Sequence, residues 1–572
     1  MNKKNYFILL FALTVVIIFF NIKYLVGQIS KGGIPPSFSN EVISKTNFET
    51  KILTPPDVAK LKAEDAINDT KNIIRKKPRI AVSVFTDIDM DNSGTWSILP
   101  DGSKIWRLKI EIPGALALGV YYDAFNLPEG AELYLYNESK TQVIGAFTSE
   151  NNHESGLFAT EFIQGSAVIL EYYQPSNIND NLIFHINEIA YGYRFISFPF
   201  LENKEFGDSQ SCEVNVNCPE GNNWQDQKRG VARISIKIGS NYYWCSGTLL
   251  NNTKQDCTPY LLTACHCGDG ASSSNLNQWI FYFNWESSTC NNLSSQPSWK
   301  SLTGATFKAM DGNEGQDGSD FYLVKLNNVP PANYNLYLNG WSRSTTGSPS
   351  GVSIHHPAGD IKKISTYTST LTSIYVGAPG SHWQVYWANT TNGHGVTEEG
   401  SSGSPIFNKN KQVVGDLTGG YSACTTNGAG TGTGPDKPDY YGKFSYSWDQ
   451  NGTTAAKRLK DWLDPLNTNV ISINGINACQ NVGIQEQELK NEMNIYPNPV
   501  KDIVNIVPGK NDLKGAKITV SDILGNEILN MNMPNNYTGL FRIDMSNYKK
   551  GIYFIRFDNL KGNIITKKIT KI

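Results

Sequence analysis

The chain reads as a mainly β protein made of consecutive β-rich modules, and three observations carry that reading. Between about residues 80 and 200 the apolar positions recur every second residue. In Ile105 to Ile112, for example, Trp106, Leu108, Ile110 and Ile112 share one face while Arg107, Lys109 and Glu111 share the other. From about 207 to 470 many short apolar runs are separated by Gly, Asn and Ser turns, the texture of antiparallel β structure. After Glu488 short β-type runs return, among them Ile518-Thr519-Val520 and Gly551-Ile552-Tyr553-Phe554. A length of 572 residues, 40% hydrophobic and 18% charged, fits several folded domains with sizeable cores. The formal net charge of -2 and the absence of a long basic run give no reason to expect nucleic acid as a partner.

Taken in order, residues 1–27 carry Lys3 and Lys4, an apolar run from Tyr6 to Phe20 and small residues near Gly27, the pattern of a secretory signal peptide. An uncleaved membrane anchor is the competing reading of that run. Residues 28–206 begin polar and irregular. Pro55-Pro56 then opens a predicted surface helix from Asp57 to about Thr70, and the period-two strands, including Glu132 to Tyr136 and Ser166 to Tyr173, predict a small antiparallel sandwich. No catalytic constellation falls in it. The one clear helix expected in the next module is Thr454 to Leu463, with Leu459, Trp462 and Leu463 on one face and Pro465 ending it.

The chemistry concentrates around Gly400-Ser401-Ser402-Gly403-Ser404-Pro405. Small residues on both sides of Ser402 let a carbonyl approach its hydroxyl, and the N–H groups of Gly400 and Ser402 can converge on the oxygen that becomes negative during acyl transfer. Such a serine needs a histidine to take its proton and a carboxylate to orient the histidine. Among seven histidines, His266 ends the apolar run Leu261-Leu262-Thr263-Ala264 inside a cysteine-flanked turn. Asp320 opens the apolar run Phe321 to Leu326 and is the expected acid, with Asp317 as the alternative.

The order His266, Asp320, Ser402 in these contexts resembles the chymotrypsin clan of serine endopeptidases, and within it the lysyl endopeptidase branch. The matching segments are Ser211-Cys212 with Cys218-Pro219-Glu220-Gly221, Cys245-Ser246-Gly247-Thr248-Leu249, Ile354-His355-His356-Pro357 and Gly395-Val396-Thr397-Glu398 before the serine loop. The resemblance implies a chymotrypsin-like double β-barrel over about 207–480, with residues 28–206 as a propeptide. A permanent carbohydrate- or protein-binding module is the other reading of the sandwich. Lys204 lies where an enzyme cutting after lysine could release its own pro-segment. Ser401 stands where trypsin-type enzymes carry the aspartate that binds a newly cut amino terminus, so activation by such insertion is not expected here. Val396, six residues before Ser402, occupies the place of trypsin's cation-binding aspartate. Preference for lysine therefore falls by resemblance to Asp439, with Asp436 as the alternative, and Thr418 stands where the branch has a histidine beside its pocket. His355 and His356 receive no role and read as a packed turn.

The resemblance also implies the bridges Cys212–Cys424, Cys218–Cys290 and Cys245–Cys267, each adding about 2–4 kcal/mol. Cys257 and Cys265 flank one short strand and are expected to pair as an addition to that pattern, leaving Cys479 over. A zinc site on Cys257, Cys265, His266 and Cys267 is disfavoured, because adjacent residues point to alternate sides of an extended chain. No metal or cofactor is expected. Residues 488–572, with Asn494-Ile495-Tyr496-Pro497-Asn498-Pro499 at the start, resemble the C-terminal sorting domain of the type IX secretion system. The combined expectation is a secreted or surface-held monomer acting on protein or peptide substrates and meeting the secretion machinery through its last domain. A lapsed, protease-like adhesin is the alternative.

Overall fold

The computed structural model describes residues 30–39, 47–71, 74–75, 77–178, 182–194, 209–292, 297–426, 432–478, 493–508, 517–523, 525–532, 541–558 and 564–572. The signal segment, Lys204 and Cys479 lie outside the described residues. The chain divides into a unit ending at Gln480 and a second from Asn481 onward.

The first unit begins with helix α1 (Val58–Lys71) and strands β1 (Arg79–Asp89), β2 (Lys104–Glu111), β3 (Ala117–Asn126), β4 (Glu132–Tyr136), β5 (Ala167–Gln174) and β6 (Ile183–Gly192). These make the expected sandwich. β5 lies between β2 and β4 in one sheet, β6 lies between β1 and β3 in the other, and all these pairs are antiparallel. Trp106, Leu108, Ile110 and Leu170 from one sheet meet Val120, Tyr122, Ile186 and Ile189 from the other in a single core. The alternation seen in the sequence of β2 is therefore the alternation between core and cover.

Strands β7 (Val231–Ile238), β8 (Asn241–Leu250), β9 (Tyr260–Ala264), β10 (Ile280–Phe283), β11 (Lys300–Thr303), β12 (Ala305–Met310) and β13 (Phe321–Leu326) form the first barrel. Ile234, Leu249, Leu261, Phe281, Leu302 and Val324 fill it. The Trp279 to Trp285 stretch is core strand here, as its apolar run suggests. The second barrel is made by β14 (Gly351–His355), β15 (Lys363–Tyr367), β16 (Thr372–Ile374), β17 (His382–Val385), β18 (Pro405–Asn408), β19 (Val413–Gly420) and β20 (Asp439–Lys443), paired in the order β15-β14-β18-β19-β20-β17-β16. A third apolar cluster joins the barrels, with Leu262, Phe321 and Leu323 of the first against Ile354, Phe407 and Trp448 of the second.

The sandwich and the first barrel share one sheet. β1 pairs with β6 on one side and, at its start, with β8 on the other, in register Ala81 to Tyr242 and Val82 to Asn241. Behind this seam Ile80, Tyr121, Phe162 and Ala190 pack on Tyr242, Trp244, Ile280 and Tyr282. One ion pair is enclosed in it: Lys237 Nζ donates to Glu188 Oε1 at 2.6 Å, with side chains 4% and 9% exposed.

The bridges Cys212–Cys424, Cys218–Cys290 and Cys245–Cys267 are present, with Cα separations of 5.5, 4.1 and 6.4 Å. The expected Cys257–Cys265 bridge does not form: Cys265 is a free buried thiol, while Cys257 is disulfide-bonded elsewhere. The reason is length, since β9 runs extended between them at about 3.3 Å per residue, carrying their Cα atoms beyond the ~7 Å a disulfide can span. The helix expected at Thr454 to Leu463 is also broken. A 3-10 turn at Ala455–Lys457 and a short α-turn at Lys460–Leu463 are separated by extended Arg458 (φ -154°, ψ 152°). Lys457 Nζ is drawn to the distant Asp311 carbonyl at 2.8 Å, and Trp462 Nε1 takes the Ala455 carbonyl at 2.9 Å, so a tertiary contact and a local side-chain bond override the helical spacing. A helix not foreseen, α2 (Phe444–Asp449), instead packs Phe444 and Trp448 on Trp341.

The second unit is a small β fold of two sheets. β21 (Met493–Tyr496), β22 (Ile503–Pro508) and β25 (Phe541–Asp544) form one, and β23 (Lys517–Asp522), β24 (Glu527–Asn532), β26 (Gly551–Asp558) and β27 (Ile564–Lys571) the other. Val504, Ile506, Ile518, Val520, Ile555 and Phe557 lie in its core.

Glu188→Ala leaves the Lys237 ammonium buried without its carboxylate, and the intact chain is expected to lose about 3–5 kcal/mol of unfolding free energy. Adding Lys237→Met should recover most of that loss. Urea unfolding of the two variants checks both, and equal stability of the single and double variants would show that the charge is not isolated at the seam.

Candidate active site

His266 is delivered by β9, which is held between β8 and β13. The chain leaves the strand in a short helical turn, Cys265–Gly268, and Cys267 in that turn is bridged to Cys245 of β8. The imidazole is thus fixed on both sides of its own position. Its Nδ1 lies 2.7 Å from Asp320 Oδ2, and its backbone N–H donates to Asp320 Oδ1 at 2.9 Å. A carboxylate on Nδ1 assigns the proton to that nitrogen and leaves the Nε2 lone pair as a base. Asp317, the alternative acid, is exposed and bound to Asn313 instead.

Asp320 is fully buried and sits at φ +61°, a left-handed conformation that a residue with a Cβ adopts only when its surroundings hold it there. Three contacts do so. Its N–H donates to Asp311 Oδ2 and its carbonyl accepts from Cys265 N–H, both at 2.5 Å, and its side chain is gripped twice by His266. Gly315 makes room, since a Cβ there would lie 2.2 Å from Asp320 Oδ1. Burial opposes ionisation of Asp320, but the His266 ring, its hydrogen bonds and the Arg75 guanidinium outweigh burial and hold the carboxyl below its ordinary range. Burial, then the Asp320 charge, push the neighbouring Asp311 up to about 7.

The loop bearing Ser402 is stitched onto the same strand that carries Cys245. Ser246 N–H donates to the Ser402 carbonyl at 2.8 Å and Ser246 Oγ to the Gly400 carbonyl at 2.9 Å. Gly403, at φ +78°, packs directly on the end of β9: a Cβ there would lie 2.2 Å from Thr263 Oγ1 and 2.6 Å from Ala264 N. That contact is why a glycine follows Ser402, and it brings the serine loop to the strand end that presents His266. The Gly400 N–H, at φ +95°, donates to no protein acceptor among the described residues.

Ser402 opens onto a cavity of about 180 Å³ lined also by Thr397, Leu417, Gly419, Gly420 and Ser422. Asp439 lies behind this lining, fully buried. Its Oδ2 accepts from Trp387 Nε1 (2.7 Å), Thr397 Oγ1 (2.7 Å) and Ser422 Oγ (2.6 Å), and its Oδ1 from Ser422 N–H (3.0 Å). Oδ1 keeps acceptor capacity on the side of Gly420, where a Cβ would come within 2.2 Å of it. Burial raises the Asp439 pKa despite these donors. Asp436 makes no comparable contact in the cavity lining. Thr418 falls at a register shift in β19 and is not among the residues lining the cavity; its hydroxyl meets His382 Nε2 at 3.0 Å. Of the groups now seen around the site, Trp387, Ser422, Asp311 and His382 carried no motif that sequence reading could have used.

Ile74 and Arg75, between α1 and β1, cross this site. The Ile74 carbonyl lies so close to Gly419 that a Cβ there would sit 1.6 Å from it. Arg75 donates to the Gly315 carbonyl at 2.9 Å and its Nε lies 3.9 Å from Asp320 Oδ2. His266 and Ser402 consequently open onto different cavities, with Arg75 lining the first and Ile74 the second.

Residues 206–442 match the family described as lysyl endopeptidase, C-terminal domain. A lysyl endopeptidase of Pseudomonas aeruginosa is 26% identical over 381 residues, 62% of this chain and 76% of that protein. The chain is a lysyl endopeptidase-like serine endopeptidase. Residues 494–571 of this endopeptidase match the secretion system C-terminal sorting domain, which marks it for export by the type IX route. Among the described residues no helix is long and apolar enough to cross a membrane. Solved structures similar to the endopeptidase include the protease Anisep from Arthrobacter nicotinovorans, 18% identical over 38% of this chain and 90% of that one with a TM-score of 0.25. A Glu endopeptidase in complex with MPD is 17% identical over 42% of this chain and 95% of that one, also with a TM-score of 0.25.

Asp311→Asn keeps an oxygen for the Asp320 N–H and removes a charge. Because the folded pKa lies above the unfolded one, the native state retains a proton between about pH 4 and pH 7 that the unfolded chain has released. Wild-type stability therefore falls as pH rises through that window. The melting temperature of Asp311→Asn relative to wild type should climb between pH 4 and pH 8, and a difference that stays flat would place the Asp311 carboxyl in its ordinary range.

Proposed function

We propose that the endopeptidase cuts on the carboxyl side of lysine through Ser402, His266 and Asp320, and that residues 28–206 are its pro-domain. The observation that carries this reading is the hydrogen-bonded Asp320–His266 pair beside a serine loop whose cavity is backed by the buried carboxylate of Asp439. In the proposed reaction the Ser402 hydroxyl proton passes to His266 Nε2 as Oγ bonds to the scissile carbonyl carbon. The resulting oxyanion takes hydrogen bonds from the Gly400 and Ser402 N–H groups. As the C–N bond breaks, the leaving amine takes the proton from His266. Water then repeats the sequence on the acyl-enzyme and restores Ser402.

A lysine side chain in the cavity would bring its ammonium to the open side of Asp439 Oδ1 past Gly420. That short, desolvated contact favours a cation over any neutral side chain. The crossing of the site by Ile74 and Arg75 supports a masked proenzyme, with Lys204 as the proposed point of self-cleavage. The protease-like adhesin is not favoured.

Peptides matched except for Lys, Arg, Glu or Leu before the scissile bond test the reading. Ser402→Ala should lower turnover by on the order of six powers of ten. Asp439→Asn should lower kcat/KM for lysine peptides by about 10²–10³, the worth of one desolvated charge pair, and leave the leucine peptide little changed. Cutting without basic preference would remove Asp439 from the pocket assignment. For the mask, Arg75→Ala in the uncleaved chain should raise the rate at which a fluorophosphonate labels Ser402, and an unchanged rate would mean that this segment does not guard the site.

A further inference from the structure

His355 ends β14 directly behind the serine loop, and its ring touches the residue preceding Ser402. Its Nδ1 is 2.8 Å from Ser401 Oγ and its Nε2 is 2.9 Å from Ser365 Oγ, and all three residues are fully buried. Ser365 Oγ in turn donates to the Val396 carbonyl at 2.8 Å. Burial, with the nearby Lys363 charge, depresses the His355 pKa to about 3, so the ring is neutral and has one donor and one acceptor.

The Val396 carbonyl can only accept, and this sets every proton in the chain. Ser365 gives its hydroxyl proton to Val396, so His355 Nε2–H must donate to Ser365 Oγ. Nδ1 is then a bare acceptor, and Ser401 donates its hydroxyl proton to it. Ser401 Oγ remains free to accept the Glu398 N–H at 3.3 Å. Glu213 Oε2 lies 3.8 Å from Nε2, but burial and the neighbouring Glu398 raise the Glu213 pKa well above its ordinary value, so this contact does not demand an imidazolium.

The turn after His355 grips the same loop. Ala358 N–H donates to the Glu399 carbonyl at 2.6 Å, and a Cβ on Gly400 would come within 2.9 Å of Gly359 N and 3.0 Å of the His356 carbonyl. Ser401 N–H closes onto the Glu398 carbonyl at 3.0 Å, and Ser404 N–H onto the Ser401 carbonyl at 2.9 Å. Residues 398–401 are thereby held in one conformation with the pro-domain still attached.

We infer that His355 is a positioning residue: through its hydrogen bond to Ser401 it holds the Gly400–Ser402 backbone in the form that receives the oxyanion, with no part played by a new amino terminus. This rests on the assignment of Ser402 as nucleophile. A buried neutral pair does here the work for which an aspartate and a fresh ammonium would otherwise be needed. The proenzyme is then inactive because its cleft is covered, while the loop itself is already assembled.

The test uses the processed protein with His355→Leu, His355→Asn and Ser401→Ala, measured on a lysine peptide. A peptide aldehyde reports on the oxyanion site through its tetrahedral adduct, and the cleaved product peptide reports on ordinary binding. His355→Leu and Ser401→Ala should each lower kcat and weaken aldehyde binding by about 10²-fold, as loss of an oxyanion donor does. KM and product binding should stay near wild type. His355→Asn, which can still accept from Ser401, should recover about ten-fold of the loss. Wild-type enzyme with a carbamylated amino terminus should keep its full kcat. The inference is overturned if kcat collapses on carbamylation, or if folded Ser401→Ala, with wild-type melting temperature, keeps its kcat and aldehyde affinity. Failure of a fluorophosphonate to label Ser402 in active wild-type enzyme would overturn the nucleophile assignment itself.

Discussion

A carboxylate with no exposure to solvent, Asp320, in a backbone conformation that most residues avoid, is the constraint on which the rest of the site depends. A buried charge is tolerated only where enough donors converge on it. Here the donors come from His266 twice over, once from its ring and once from its main chain, so satisfying Asp320 also orients the imidazole. The left-handed corner is itself held by Asp311 and by the Cys265 N–H. Cys265, a free thiol because extended β9 separates it from Cys257, supplies its backbone N–H to this corner.

The second dependence is between modules. β1 of the N-terminal sandwich continues the sheet of the first barrel through β8, and β8 also carries Cys245 and Ser246, the residues that tie the His266 turn and the Ser402 loop together. The sandwich, the histidine and the serine therefore meet on a single strand. The Lys237–Glu188 pair and the aromatic cluster behind it give the seam the character of a domain core, and the segment leading into β1 passes over the site. Covering the cleft and completing the sheet are two consequences of one attachment.

Much of this was legible in the residues. Period-two runs such as Ile105 to Ile112 mark strands because a half-buried sheet demands alternation, and the three residues proposed as catalytic stand at strand junctions, His266 just after β9, Asp320 just before β13 and Ser402 in the loop before β18. The errors share a cause. Cys257 and Cys265 are near in sequence but lie at opposite ends of an extended strand. The Thr454 to Leu463 spacing is helical, yet Lys457 reaches the distant Asp311 carbonyl and the Trp462 indole takes the Ala455 carbonyl that a continuous helix would have used. Thr418 sits at a register shift in β19 and meets His382, outside the lining to which Leu417, Gly419 and Gly420 contribute.

By itself the sequence determined the serine endopeptidase class and the sorting domain, since the Gly-Ser loop at Ser402, the His266 and Asp320 contexts and the C-terminal runs are local patterns. Only the tertiary structure decided what surrounds those groups. The Trp387 and Thr397 donors on Asp439, the His355–Ser401 contact and the crossing of Ile74 over Gly419 join residues far apart in the chain, and the Asp311 prop under Asp320 depends on how the loop between them folds. Burial is what gives these contacts their strength, because a hydrogen bond or charge shielded from water must be met by whatever the fold places beside it. Which partner that is depends on packing, and packing is not written in any single stretch of residues.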